Sequence, residues 1–124
     1  MRPFSILAAG GFLLLSVSAP SGAGQPLTIA VSPKVAPAPG YVRVSAQIEP
    51  SDDNRTLEIT AISDDYARSS SIQLDGARAP RIEVIDYANL PAGIYEVSAV
   101  LVGPLGRRAA ASRFVQIVPG AGQH

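Results

Sequence analysis

Residues 90–97 are LPAGIYEV, a short turn that leads directly into a strand. Pro91 presets the backbone for a turn, and Gly93 can adopt a positive φ at low cost. From Tyr95 to Leu101 apolar and polar side chains then alternate, which is the period of a half-buried strand. The pattern predicts that Tyr95 buries its ring while its hydroxyl bonds to the backbone of the preceding turn.

The same alternation recurs along the chain, most clearly at residues 41–49, where positions 42, 44, 46 and 48 are apolar. Pro37, Pro39 and Gly40 instead predict a loop over residues 35–40. No helix is predicted beyond the apolar start of the chain. Turn residues separate the strands, so we expect an all-β, immunoglobulin-like β-sandwich of about seven antiparallel strands. The other strands are expected at residues 27–31, 57–62, 68–74, 108–118 and from Ile82 onward.

Four residues of the first stretch carry a family resemblance: Leu90, Pro91, Gly93 and Tyr95. Their spacing resembles the tyrosine corner of bacterial immunoglobulin-like and fibronectin type III-like modules. The resemblance implies that these residues are structural. It also implies a spacer, an adhesive unit or a binding platform rather than a catalyst, since the fold alone carries no activity. The chain has no Trp and no Cys, so an antibody-type domain is not implied.

The start of the chain predicts export. Arg2 precedes an apolar run at residues 4–17, and the small residues Ser21, Gly22 and Ala23 follow. This order is typical of a signal peptide, and the run is shorter than the ~20 residues that span a bilayer. We therefore expect a signal peptide at residues 1–23 and one domain at residues 24–124, with 119–124 as a flexible tail. The mature protein would be secreted or periplasmic, without a membrane span.

Composition excludes several function classes. The formal net charge is +0, so there is no basic footprint for nucleic acid. Without cysteine there is no thiolate catalysis and no Cys-ligated zinc. The only histidine, His124, is the last residue and cannot form a triad or a zinc site alone. The ten acidic residues mostly fall in turns or alternate outward on strands. We expect no enzymatic activity and no cofactor.

Two acidic pairs, Asp52-Asp53 and Asp64-Asp65, are candidate calcium ligands or ordinary turn residues. They flank the third predicted strand at opposite ends and cannot share an ion, which favours the turn role. Asn54-Arg55-Thr56 matches a glycosylation sequon, which matters only in a eukaryotic host.

The chain's tyrosines offer an alternative function. Aromatic side chains stack on sugars in many β-sandwiches, and the candidates here are Tyr41, Tyr66 and Tyr87. The leading hypothesis is a non-enzymatic exported module that makes protein–protein contacts in the periplasm or cell envelope. The alternative is a carbohydrate-binding or cell-surface adhesion module.

One outer sheet face is a candidate interface. In this fold the third, sixth and seventh strands lie side by side in one sheet. If Leu57, Ile59, Tyr95, Val97, Ala99 and Leu101 point inward, then Ile62, Val100 and Val102 point outward on that sheet. For the last strand two facings are open. Burying Val115 and Ile117 would expose Phe114 and require a bulge near Arg113, and the opposite facing would expose Val115 and Ile117. Because either facing exposes apolar side chains, Ile62, Val100, Val102 and Phe114 are predicted to contact a protein partner or a second copy, unless the chain's own tail covers them.

Overall fold

Eight strands make up most of residues 25–120, the part of the chain that the computed structural model describes. A single 3-10 turn at Gly76–Arg78 is the only helical element within these residues. The expected signal peptide, the end of the tail at residues 121–124 and His124 itself lie outside the described residues. The strands are β1 (Leu27–Ser32), β2 (Val35–Pro37), β3 (Gly40–Ile48), β4 (Thr56–Ile62), β5 (Ala67–Gln73), β6 (Ile82–Leu90), β7 (Gly93–Gly103) and β8 (Gly106–Val118).

The strands form two sheets, one of three strands in the order β1-β3-β6 and one of five in the order β2-β8-β7-β4-β5. All pairs are antiparallel except β2 with β8, which is parallel. The predicted all-β sandwich is therefore confirmed, with β4, β7 and β8 side by side as expected. The described residues contain no helix with the length and hydropathy that crossing a membrane requires.

Strand β2 was missed by the sequence prediction, which placed a loop at residues 35–40. Its neighbours bond to β8 on both sides: the Ala38 N–H donates to the Val118 carbonyl at 2.7 Å, and Gln116 N–H donates to the Lys34 carbonyl at 2.9 Å. β2 is an edge strand, where a proline without an N–H is tolerated. Proline content therefore did not prevent a short strand here.

The core lies between the two sheets, and the alternation that predicted the strands also determines which side chains enter it. β3 and β7 each bury every second side chain, so both sheets contribute a continuous apolar layer. Fully buried examples include Val42, Val44, Leu57, Ile59, Leu90, Tyr95, Val97 and Leu101. Apart from tyrosines, Asn54 is the one polar side chain that is buried among residues 25–120.

β8 buries Val115 and Ile117 and leaves Phe114 exposed at 65%. Gly40 explains this choice, because a Cβ there would lie 2.6 Å from a terminal methyl of Ile117. The glycine leaves room for the inward isoleucine.

The expected bulge near Arg113 is wrong, because pairing is continuous from Ala99↔Ala111 to Gly93↔Ile117. The long side chain of Arg113 carries its charge into solvent, and its guanidinium donates to the Ser112 carbonyl at 2.8 Å. The register shift lies instead between Leu101 and Val102, opposite Ala109 and Arg107.

Candidate interaction surface

The turn before β7 holds Tyr95 in the core. Its side chain is fully buried, and its hydroxyl donates to the Pro91 carbonyl at 2.7 Å. Burial raises the pKa of this hydroxyl above its ordinary value. Leu90 is buried at the end of β6, and Pro91 is exposed. These residues thus form a structural corner rather than a binding site.

Positive φ in this corner lies at Asn89, with φ of 61°, a position that sequence reasoning did not single out. Asn is one of the few non-glycine residues that adopt this conformation readily. Gly93 also has a positive φ, of 158°, as the sequence predicted, and it packs tightly: a Cβ there would lie 3.3 Å from the Cβ of Ser63.

The three tyrosines proposed for sugar stacking are not brought together. Tyr87 is buried, and its hydroxyl lies 2.9 Å from the Ser70 hydroxyl and 3.2 Å from the Ile59 carbonyl oxygen to which it donates. Tyr66 is half-buried against the core, and Tyr41 is exposed on the three-stranded sheet. Tyr87 is therefore a core residue, and no aromatic platform is formed from this set.

Asn54 is a buried structural residue that the sequence did not reveal. Its Nδ2 donates to the Glu49 carbonyl at 3.0 Å, and its Oδ1 accepts from Arg108 Nη1 at 2.6 Å. The side chain is 1% exposed, so the amide of the sequon faces the protein interior.

The acidic pairs lie at opposite ends of β4 and are exposed. The Asp52 carbonyl oxygen already accepts a hydrogen bond from the Arg55 guanidinium. Residues 25–120 contain no group of three or more His, Cys, Asp or Glu side chains placed to hold a metal ion.

We expect calcium to leave the stability of the exported protein unchanged. A bound ion would raise the free energy of unfolding as RT ln(1 + [L]/Kd). Thermal melts in EDTA, in millimolar calcium and in millimolar magnesium should therefore give the same melting temperature. A rise of several degrees in calcium alone would contradict the turn role of Asp52-Asp53 and Asp64-Asp65.

The outer face of the five-stranded sheet carries the predicted interface residues, but in two separate places. Register places Phe114 and Ile62 on either side of Glu96. Val100 and Val102 lie further along β7 and are half-buried. Between the two places runs a row of hydroxyl side chains across four neighbouring strands: Ser112, Ser98, Thr60 and Ser69.

The apolar group around Glu96 is larger than the sequence indicated. Ile94 is the next outward residue on β7, and it lies opposite Gln116, which in turn pairs with Val35 of β2. We call Val35, Ile62, Ile94 and Phe114 the apolar cluster; their exposures are 59%, 51%, 65% and 65%. Sequence reasoning missed Val35 because it lay in the expected loop, and Ile94 because it precedes the alternating stretch that begins at Tyr95.

Glu96 has no ion-pair or hydrogen-bond partner for its carboxylate within residues 25–120. The described residues form two ion pairs, Arg78 with Asp75 and, on the three-stranded sheet, Arg43 with Asp86, where Arg43 Nε donates to Asp86 at 2.8 Å and thereby lowers the pKa of that carboxyl. The cross-strand neighbours of Glu96 are Ile62 and Phe114, and Ile94 is the next outward residue on its own strand. Because it is exposed, the Glu96 carboxylate is accessible to a cation of a binding partner.

A shallow trough of about 560 Å³ continues from Glu96 along β7 and β8. Its floor is made of small side chains, and Arg107 lies at its far end. The lining residues are Glu96, Ser98, Val100, Arg107, Ala110, Ala111, Ser112 and Arg113.

Comparison with known proteins supports the fold. No protein-family model matches the chain, and the comparison with curated protein sequences also gave no match. Among solved structures, a superoxide reductase (neelaredoxin) from Ignicoccus hospitalis is similar over 77% of this chain and 80% of its own, with 12% identity and a TM-score of 0.55. A CARDB domain from Pyrococcus furiosus, solved in complex with di-metal ions, covers 75% of this chain and 93% of its own at 14% identity and a TM-score of 0.47. At 12% identity the similarity to the superoxide reductase concerns the fold alone, an all-β sandwich.

Proposed function

We propose that this chain is a non-enzymatic, exported module of the immunoglobulin-like or fibronectin type III-like kind that makes protein–protein contacts in the periplasm or cell envelope. The observation that carries the proposal is the apolar cluster with its unpaired Glu96. Single exposed apolar residues are common, but a contiguous set on a sheet face is typical of an interaction site.

The distribution of polar groups supports a role without catalysis. Catalytic acids and bases usually lie in desolvated sites that shift their pKa. Among residues 25–120 no carboxylate or basic side chain is buried, and Asn54 is committed to structural hydrogen bonds. The apolar start of the sequence supports export, and the alternating strands support a module that folds without disulfides.

A photo-crosslinking experiment tests the contact surface. A photoreactive phenylalanine analogue in place of Phe114 should give an adduct of defined mass when the exported protein is irradiated in its own cells. Ile94→Glu in the same protein should abolish the adduct, because it places a charge in the apolar cluster. The matched control carries the analogue in place of Val84, which is 47% exposed on the opposite sheet. Equal adducts from both positions, or none from Phe114, would contradict the proposal.

A carbohydrate-binding role is the second candidate, and the trough favours it. Hydroxyl, carboxylate and guanidinium groups line the trough beside the exposed ring of Phe114. Such a combination suits sugar hydroxyls and an apolar sugar face. Binding on a glycan array that Phe114→Ala abolishes, together with no protein adduct, would favour this candidate over a protein contact.

A further inference from the structure

The two ends of the trough are chemically unlike. One end presents Glu96 with Phe114 beside it, and Ile94 follows one step further out. Arg113 also lines this end, but its guanidinium donates to the Ser112 carbonyl and forms no ion pair with Glu96. The other end presents Arg107, followed by the β7–β8 hairpin tip with Leu105, whose exposure of 103% is the highest of any large apolar residue in the described part. Because Arg107 pairs with Val102, six residues along β7 from Glu96, the two charges lie roughly 20 Å apart along the strand. They are too distant to pair within one chain.

The middle of the trough is flat enough for another protein surface to approach it closely. Ser98, Ser112 and Ala110 carry small side chains, and Val100 is half-buried. Sheets in sandwiches pack about 10 Å apart when their side chains interdigitate. Small residues between two prominent ends therefore allow a second sheet to lie against this one.

We infer that the occupant of this face is a second copy of the chain, an inference that rests on the proposed function as a contact module. The two copies are related by a two-fold axis that crosses β7 and β8 between the Ser98–Ser112 row and the Val100–Ala110 row. This axis reverses the strand direction, so that Glu96 and Phe114 of each copy lie opposite Arg107 of the other. Ile94 of each copy then faces the hairpin tip that carries Leu105.

Charge and shape both favour a copy over an unrelated partner. The carboxylate of Glu96 gains a guanidinium, and that guanidinium lies over the ring of Phe114, where a cation–π contact forms. Neither Glu96 nor Arg107 has another side-chain partner within residues 25–120. In an isologous interface each contact occurs twice, so one complementary pair supplies two ion pairs and two apolar contacts.

Charge reversal tests the arrangement. Sedimentation analysis of the exported protein should show a concentration-dependent dimer. Glu96→Arg and Arg107→Glu should each weaken dimerisation at least about tenfold, since each homodimer then contains two like-charge contacts. An equimolar mixture of the two variants should dimerise again, because both contacts are complementary in the heterodimer. Arg81→Glu, an exposed charge reversal on the other side of the sandwich, is the control and should leave the dimer unchanged.

Two results would overturn the inference: a parent protein that stays monomeric up to its solubility limit, or a mixture of the two variants that stays monomeric while each remains folded by circular dichroism. A monomeric parent that still gives the Phe114 adduct, at the mass of a different protein, would refute the second copy and leave the proposed function standing. Loss of both the dimer and the adduct would refute the two together.

Discussion

Replacing Tyr95 with alanine should lower the free energy of unfolding by about 3–5 kcal/mol, the usual cost of removing a buried aromatic side chain. The ring is fully buried between the sheets, and its removal leaves a cavity that the surrounding strands cannot close. Tyr95→Phe keeps the ring and removes only the 2.7 Å bond to Pro91, so it should cost about 1 kcal/mol. Urea unfolding of the parent and both variants measures these differences.

The pH dependence of stability separates the hydroxyl from the ring. Burial raises the pKa of Tyr95 in the folded state, so the unfolded chain loses this proton first as the pH rises. The stability that the protonated Tyr95 hydroxyl contributes is fully present below the ordinary pKa of tyrosine, and it is lost as the pH rises from there through the raised pKa of the folded state. Tyr95→Phe should therefore show a shallower alkaline decline than the parent. An alanine variant as stable as the parent, or identical alkaline profiles, would refute the structural corner.

The elements that sequence predicted well are those whose signal is local. The alternation in β3 and β7 follows directly from which side chains enter the core, so period two was sufficient to place both strands. The corner before β7 was also predictable, because its turn residues and Tyr95 lie within a few positions of one another in the sequence. Strand β2 lacked such a signal, because its short pairing with β8 is parallel and depends on residues about 80 positions away.

The interaction surface was predicted only in part, for a related reason. Parity along β4 turns Ile62 outward but left the facing of Phe114 open, and register decides that both lie beside the same Glu96 and that Val100 lies beyond the hydroxyl row. Register depends on turn geometry and core packing across the whole sheet, and local residue patterns do not reveal these. The trough and its two unlike ends therefore became visible only in the folded chain.

The bulge in β8 is another feature that depends on residues distant in sequence. Ala109 pairs with Leu101 and Arg107 with Val102, so Arg108 is the extra residue without a partner in the ladder. This bulge directs the Arg108 side chain to Asn54, which is 54 positions away in sequence. Gly103 leaves room for the Arg108 side chain to reach Asn54, since a Cβ there would lie 2.7 Å from Arg108 Cδ and 2.7 Å from the Asp53 carbonyl oxygen.

Asn54 joins three chain segments at this end of the sandwich. Its side chain bonds to Glu49 and Arg108, its N–H donates to the Ser51 carbonyl at 3.1 Å, and its carbonyl accepts from the Gly76 N–H at 3.1 Å. Because the side chain is buried, a replacement of similar size that cannot form hydrogen bonds leaves the Glu49 carbonyl and the Arg108 guanidinium without partners. Glu49 and Arg108 are exposed residues, so water replaces part of what they lose; a neutral hydrogen bond is then worth about 1 kcal/mol and one to a charged group about 1.5–3 kcal/mol.

Asn54→Leu should therefore lower the free energy of unfolding by about 2–4 kcal/mol, while Asn54→Asp, which keeps an acceptor for Arg108, should cost less. The double variant Asn54→Leu with Arg108→Met should be more stable than the sum of the two single losses predicts, because it removes the unpaired charge together with its partner. Urea unfolding of the parent, the single variants Asn54→Leu and Arg108→Met, and the double variant forms a double-mutant cycle that measures this coupling. Strictly additive losses would show that Arg108 and Asn54 do not support each other, and that the β8 bulge has no part in closing this end of the sandwich.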